Sequence, residues 1–143
     1  MEDECFKGTS ITKLLDLGSV TSIPGRICDG LTTLTEVTIP STCHTLSGYG
    51  HFFGCSNLRK VNGLSNLTNI GNLAFSGTSL INNNLSELVN VTTLNRETFS
   101  GCNIQGELNL PNLLSASSSE FAQCKNITKV KCLNKLSSIP EGF

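Results

Sequence analysis

The chain has 143 residues, a hydrophobic fraction of 38% and a net charge of -1, which is the size and composition of one domain with a continuous core. Only 15% of the residues are charged and no run of Lys or Arg occurs, so the sequence predicts no nucleic acid partner. No segment approaches the roughly 18 apolar residues of a membrane span and the start MEDECFKG lacks the apolar run of a signal peptide, so it predicts no membrane insertion either.

A short stretch that begins with phenylalanine recurs along the chain. The copies are FKGT, FFGC, FSGT, FSGC and FAQC, which begin at Phe6, Phe52, Phe75, Phe99 and Phe121. The segment CDGL is a degenerate copy with Cys28 in the phenylalanine position, and Phe143 opens a further copy. Successive anchors lie 22 to 24 residues apart. A period of this length predicts a solenoid, here of six units from Phe6 to Gly142, in which each unit buries its apolar face against its neighbours.

Each unit contains a short alternating run that predicts a strand. Examples in chain order are LTEVTIP (Leu34 to Pro40), GELNLP (Gly106 to Pro111) and ITKVKCL (Ile127 to Leu133). A weaker apolar stretch follows, as in LTNIGNLAF (Leu67 to Phe75), and we interpret it as an irregular return. We therefore expect a parallel sheet on one face of the coil. The Asn run between Phe75 and Leu88 leaves the register of that unit open.

The repeat F-x-G-C-x-x-L-x-x-V-x-I-P resembles the BspA-like leucine-rich repeats of bacterial and some protist surface proteins. Cys28 to Pro40 and Phe52 to Leu64 carry the resemblance most clearly. It implies an all-β-rich, right-handed leucine-rich repeat solenoid of about six repeats. Residues 1–143 would then form a single repeat domain, a fragment of a longer repeat protein. The resemblance also implies an adhesion or interaction module on a cell surface.

Six of the seven cysteines are interpreted as packing residues, and only Cys5 lies outside the repeats. Cys55, Cys102 and Cys124 share their position in the repeat with Thr9, Leu31 and Thr78, so the position requires a small or apolar buried side chain. A bridge between Cys102 and Cys124 is compatible with the spacing of stacked strands but is not the favoured interpretation, because both side chains point into a packed interior.

Other chemistry is sparse. Cys43, His44, His51 and Cys55 lie close together in the sequence, but their spacing lacks the ligand pairs of structural zinc sites, so we expect no metal. No nucleophile, base and orienting residue can be nominated by pattern, and we expect neither a cofactor nor catalysis.

Two candidate contact surfaces remain. The first is the outward row of the predicted sheet, flanked by Glu36, Lys60, Glu107 and Lys129. The row consists of Asp16, Thr38, Asn62, Ser86, Asn109 and Lys131. The second is GYGHFFG (Gly48 to Gly54), in which Phe52 is the core anchor and Tyr49 and Phe53 are candidates for exposed aromatic contacts.

The leading hypothesis is a monomeric, non-catalytic module that binds a protein partner, such as a host or bacterial surface protein, through the strand row. The alternative is a structural spacer in a longer repeat array, which is favoured by the lack of a distinct polar cap at either end. An enzyme is a distant third, because a thin solenoid rarely offers a deep pocket. We expect an extracellular or cell-surface location, although unpaired cysteines are also compatible with a cytoplasmic one.

Overall fold

The computed structural model describes residues 5–80, 85–132 and 136. In this part of the chain the backbone makes about five turns of a parallel-stranded solenoid with little helix. The 3-10 helix η1 (Leu64–Asn66) lies between the two strands of its turn, and the 3-10 helix η2 (Leu88–Asn90) precedes β6. The right-handed sense of the coil stays a prediction. The strands are β1 (Lys13–Leu14), β2 (Glu36–Thr38), β3 (Thr45–Tyr49), β4 (Lys60–Asn62), β5 (Asn69–Asn72), β6 (Thr93–Leu94), β7 (Gln105–Asn109), β8 (Ser115–Ala116) and β9 (Asn126–Lys131).

The strands form two sets of parallel sheets, one from the first strand of each turn and one from the second. The first strands form the sheets β1-β2-β4 and β7-β9, and the second strands form the sheet β3-β5-β6-β8. We call their outer surfaces the first-strand face and the second-strand face. Residues 81–84, which fall between β4 and β7 in the sequence, lie outside the described residues.

The prediction of a sheet on one face was therefore incomplete. The weak apolar stretch from Leu67 to Phe75, interpreted as an irregular return, contains β5, whose Ile70 is fully buried. Strand β5 pairs with β3 on one side and with β6 on the other. The second sheet arises because an apolar residue in the return leg also faces the core, so the backbone on that side of the turn extends and pairs with its neighbours.

A column of aromatic rings runs through the core, as the spacing of the anchors predicts. The rings of Phe52, Phe75, Phe99 and Phe121 stack with successive centroid separations of 5.4, 5.5 and 5.6 Å and interplanar angles of 15° or less. Cys28 occupies the same position one turn earlier and is fully buried, as expected. Such offset contacts add to the burial energy of each ring. The anchor Phe143 lies outside the described residues.

The residue two positions after each anchor turns the chain with a positive φ. In most turns this residue is a glycine, with φ of 68° at Gly54, 70° at Gly77 and 72° at Gly101. Glycine adopts this conformation without the steric cost that a Cβ atom introduces. In the FAQC copy the same place is held by Gln123, with φ of 63°. The conformation is therefore set by the stacking of the turns and not by glycine alone.

Polar side chains tie each turn to the one before it. The side chains of Asn57 and Ser79 donate hydrogen bonds to the backbone carbonyls of Thr32 and Ser56, at 2.8 and 2.6 Å. Asn90 donates in the same way to the carbonyl of Ser65, at 2.8 Å. The abundance of Asn, Ser and Thr in this chain thus follows from the need to satisfy the carbonyl groups of short, tightly turned segments.

Candidate functional site

The first strands place a row of polar side chains outward. Thr38 of β2 pairs with Asn62 of β4, and Asn109 of β7 pairs with Lys131 of β9, as predicted. The Asn62 side-chain amide donates to Thr38 Oγ1 at 3.2 Å, so these two members of the row are hydrogen-bonded to each other. The preceding residues in β2, β4 and β7 point inward and are buried, so the outward positions can vary without disturbing the core.

Two members of the predicted row, Asp16 and Ser86, lie elsewhere. Lys13 pairs with Glu36, and β1 ends at the next residue, Leu14. The residue that follows the strand, Leu15, is 49% exposed. Asp16 is one residue too far along the chain, in a turn where its carboxylate accepts a hydrogen bond from the Gly18 amide at 2.8 Å. The reason is that Leu14 must face the core, and a shift of one residue would bring it to the outside.

Ser86 is exposed but lies in a turn just before η2 and not in a strand. The four preceding residues, 81–84, are the Asn-rich part of the unit whose register the sequence left open, and they lie outside the described residues. The row is therefore described in two parts, Thr38 with Asn62 and Asn109 with Lys131.

A cluster of three charges crosses the sheet β1-β2-β4. Glu36 contacts the ammonium groups of Lys13, at 3.1 Å, and Lys60, at 2.8 Å, and accepts a hydrogen bond from the Asn62 amide at 3.1 Å. The hydrogen bond from Lys60, followed by those from Asn62 and Lys13, lowers the pKa of Glu36 to about 2. The carboxylate is therefore ionised throughout the physiological range, and one negative charge is shared between two positive ones.

A second cluster of the same composition lies on the sheet β7-β9. Glu107 contacts Lys131, at 2.5 Å, and Lys129, at 3.6 Å. The hydrogen bond from Lys131 lowers the pKa of Glu107 below its ordinary value. Again one carboxylate serves two ammonium groups. We call Lys13, Glu36 and Lys60 the first lysine cluster, and Glu107, Lys129 and Lys131 the second lysine cluster.

The aromatic residues Tyr49 and Phe53 form a separate surface. Tyr49 ends the second strand β3, so this surface is not part of the first-strand row. The side chains of Tyr49 and Phe53 are 52% and 41% exposed, whereas His51 and Phe52 between them are fully buried. Backbone hydrogen bonds hold both in place, because the carbonyl of Tyr49 accepts the Arg26 amide at 2.9 Å and that of Phe53 accepts the Gly30 amide at 2.8 Å.

The cysteine side chains bond to the backbone of the preceding turn. The thiols of Cys55, Cys102 and Cys124 donate to the carbonyls of Cys28, Phe75 and Phe99, at 2.9, 3.1 and 3.1 Å. Burial raises the pKa of Cys55 to about 11 and that of Cys102 to about 12. All seven cysteines are free. Thr78 occupies the same position and also donates, although its hydroxyl bonds to the Phe75 carbonyl of its own turn, at 2.8 Å. The position thus accepts a small donor, and the alternation of Cys and Thr was the signal for this in the sequence.

The four residues considered for zinc make contacts of other kinds. Cys43 Sγ donates to the Thr45 carbonyl at 3.4 Å, and Cys55 donates to Cys28. His44 Nδ1 and His51 Nε2 each lie 3.1 Å from a backbone carbonyl oxygen, that of Asn66 and that of Ile23. Within residues 5–80, 85–132 and 136, no three or more His, Cys, Asp or Glu side chains come together as metal ligands would.

The described part of the chain contains no helix of the length and hydrophobicity that crossing a membrane would require.

Comparison with known proteins agrees with this architecture. The family model for the BspA type leucine-rich repeat region matches residues 1–114, in six copies. No curated protein matches the chain. Among solved structures, a leucine-rich repeat protein from Bacteroides ovatus is similar, with 27% sequence identity and a TM-score of 0.73. The match covers 87% of this chain and 32% of that one, so the chain spans about a third of the length of this neighbour.

Proposed function

Because the chain belongs to the BspA-type leucine-rich repeat family, we propose that it is a non-catalytic module that binds a protein partner through its first-strand face. The repeat motif itself encodes packing, since its anchors are the stacked phenylalanines and the buried donors of each turn. Recognition therefore depends on the residues that the repeat leaves free to vary, which are the outward positions of the strands.

The two strand faces differ in charge, and this difference is the main support for the proposal. Every charged residue that lies in a described strand belongs to a first strand, whereas the second strands TLSGY, NIGN, TL and SA contain none. The first strands also carry the hydrogen-bonding row of Thr38, Asn62, Asn109 and Lys131. A face with varied charge and hydrogen-bonding groups on a rigid sheet gives orientation and specificity to a contact, as the uncharged face does not.

We further propose adhesion at a cell surface as the setting, with a host or bacterial surface protein as partner. BspA-type repeats are typical of surface proteins. Free cysteines are often a sign of a reducing compartment, but burial keeps the thiols of Cys28 and Cys102 protonated, with pKa values of about 12. A buried, protonated thiol reacts slowly with oxidants and disulfides, so free cysteines of this kind are compatible with an extracellular location.

The test is capture of surface proteins on the immobilised chain, with two variants of equal charge. Thr38→Glu, Asn62→Glu and Asn109→Glu together alter the first-strand face, and Thr45→Glu, Thr93→Glu and Ser115→Glu together alter the second-strand face. Circular dichroism checks that both fold. We expect the native chain and the second-strand variant to capture the same partner. We expect the first-strand variant to lose it. A partner that both variants retain would contradict the proposal.

The aromatic surface provides an internal comparison. Phe53→Ser and Tyr49→Asn replace the two side chains with those found one unit later at the same positions, Ser76 and Asn72, so both changes fit the repeat. We expect this double variant to retain the partner. Loss of the partner here, with retention by the first-strand variant, would move the binding site to Tyr49 and Phe53.

A structural spacer is the second candidate function, favoured by the length of the solved neighbour, of which this chain covers only 32%. A spacer within a longer array has no partner of its own. It is the conclusion to draw if every protein that the native chain captures is also captured by the two triple variants and by the Tyr49 and Phe53 variant.

A further inference from the structure

We propose that the partner presents an acidic, extended segment that lies across the strands of the first-strand face and contacts both lysine clusters. The inference rests on the proposed function and specifies the chemistry of the partner. Three features of the described residues support it: the distribution of charge, the spare hydrogen-bonding capacity of the lysines, and the distance between the clusters.

The excess positive charge of the described residues lies in the two clusters. The first strands contain four lysines and two glutamates. The other described residues balance, with five cations (Lys7, Arg26, Arg59, Arg96 and Lys125) and five anions (Asp16, Asp29, Glu87, Glu97 and Glu120). A chain with a net charge of only -1 thus concentrates positive charge on the face proposed for binding. Such a face attracts an acidic surface and repels a basic one.

The glutamates hold the lysine side chains in place but leave some of their hydrogen-bond donors available. Each ammonium group has three donors, and each glutamate is shared by two lysines. The side chains of Lys13, Lys60, Lys129 and Lys131 are 42% to 59% exposed. A partner carboxylate can therefore bond to these groups from the outside without breaking the existing pairs. Their fixed positions also reduce the entropy lost on binding.

The spacing of the clusters suggests the form of the segment. Glu36 belongs to the second unit and Glu107 to the fifth, three turns further along the stack. The second strands β3, β5, β6 and β8 of these four units are neighbours in one sheet. Adjacent parallel strands lie about 4.8 Å apart, so three turns of the stack separate the clusters by about 14 Å. An extended chain advances about 3.4 Å per residue, and residues i and i+4 face the same side. Two acidic residues four positions apart would therefore reach one cluster each.

The probe is a synthetic extended peptide with glutamates at positions i and i+4, compared with the same peptide carrying glutamines. Binding to the full chain is followed by amide chemical shifts and fluorescence anisotropy at 50 and 300 mM NaCl. We expect shifts confined to β1, β2, β4, β7 and β9. We expect weaker binding at the higher salt concentration and none of the glutamine peptide. No binding of the glutamate peptide at millimolar concentration would overturn the inference.

Two variants of equal charge localise the effect. Lys60→Gln with Lys129→Gln removes one lysine from each cluster, and Arg96→Gln with Lys125→Gln removes two exposed cations elsewhere. Exposed ion pairs contribute modestly, so we expect about a tenfold loss of peptide affinity in the first variant and less than twofold in the second. Equal losses in both would show attraction by net charge alone and would overturn the inference.

Further outcomes separate this inference from the proposed function. A captured protein partner that the Thr38, Asn62 and Asn109 variant loses, but that the Lys60 and Lys129 variant retains at both salt concentrations, would leave the function standing and refute the acidic segment. A partner that both variants retain would refute both proposals. A sulfated oligosaccharide that binds the clusters more tightly than the glutamate peptide would identify an anionic polysaccharide instead and overturn the protein assignment.

Discussion

Two neighbouring columns of the core are filled in opposite ways. The anchor column contains the stacked rings of Phe52, Phe75 and Phe99, all fully buried. From the second unit onward, the residue one position before each described anchor is also fully buried, but these residues range from apolar to ionisable. In chain order this preceding column consists of Ile27, His51, Ala74, Thr98 and Glu120.

The difference lies in what each column meets in the adjacent turn. A ring in the anchor column contacts another ring, so its size and shape are fixed by its neighbours. A side chain in the preceding column meets a backbone carbonyl of the adjacent turn, as the Thr98 hydroxyl does at Gly71, at 3.3 Å. The same hydroxyl also donates to the Asn95 carbonyl of its own turn, at 2.5 Å. A column that faces backbone carbonyls tolerates different residue types, as long as each polar side chain in it can donate a hydrogen bond. Glu120 is the member that cannot do so when ionised.

The largest expected effect comes from removing a ring from the anchor column. Phe75 is fully buried and stacked on both sides, against Phe52 and Phe99. Phe75→Ala removes both contacts and leaves a cavity, so we expect the free energy of unfolding to fall by about 3 to 5 kcal/mol. Chemical denaturation of the variant measures the change.

Phe121→Ala is the matched control for this variant. Phe121 stacks on Phe99 at 5.6 Å but is only half-buried. The same ring is removed from a site with less packing, so we expect a smaller loss of stability. Equal losses at both sites would show that stacking within the column does not determine the cost.

The anchor column was predictable from the sequence because its spacing of 22 to 24 residues is visible in one residue type. The row was also predictable in the units that have the same number of residues between anchor and strand. These units contribute Thr38, Asn62, Asn109 and Lys131. The prediction for Asp16 was wrong because the first unit is one residue shorter between Phe6 and the inward Leu14 than the other units are between anchor and inward residue. The inward residue fixes the outward position that follows it, and in this unit that position belongs to Leu15.

The second sheet and the lysine clusters depend on information that no single unit contains. Strands β6 and β8 have two residues each, too few to show alternation. Each cluster joins residues from different turns, such as Lys13, Glu36 and Lys60, and becomes visible only when the register of the turns is known. Likewise, the contrast between the anchor column and the preceding column requires knowing which atoms of the adjacent turn each one faces.

A smaller effect is expected at Glu120 in the preceding column. Its carboxyl group is fully buried, and neither oxygen has a hydrogen-bond partner among the described residues. Burial raises the pKa of Glu120, and the nearby backbone amides of Glu120, Ser117 and Ser118 oppose this shift only in part. The folded state therefore binds this proton more tightly than the unfolded state, whose glutamate has a pKa of about 4.3. Stability is then greatest below that pH and falls as the pH rises towards the raised pKa of the folded state.

Glu120→Gln removes the ionisation and keeps the volume. We expect the variant to be more stable than the native chain at pH 7, by about 1 kcal/mol, because a charged group is no longer desolvated. The gain should shrink as the pH falls towards 4, where the carboxyl group of the native chain is protonated in the folded state and mostly protonated in the unfolded state. Thermal unfolding at pH 4 and pH 7 measures this. A gain of the same size at both pH values would contradict the role of ionisation.

The smallest effect is expected just after the anchor column, at Gln123. This residue adopts a φ of 63°, where the other turns have glycine. A side chain in this conformation costs about 1 to 2 kcal/mol, and glycine loses about 0.5 to 1 kcal/mol more backbone entropy on folding, so we expect Gln123→Gly to stabilise the chain by about 0.5 kcal/mol. Gly101→Ala makes the reverse change, and a Cβ there would lie no closer than 3.8 Å to Gly77, an ordinary contact. Its expected cost of about 1 kcal/mol thus comes from the backbone alone. Denaturation midpoints that shift in the same direction for both variants would show that contacts of the side chains, and not the turn conformation, decide stability at this position.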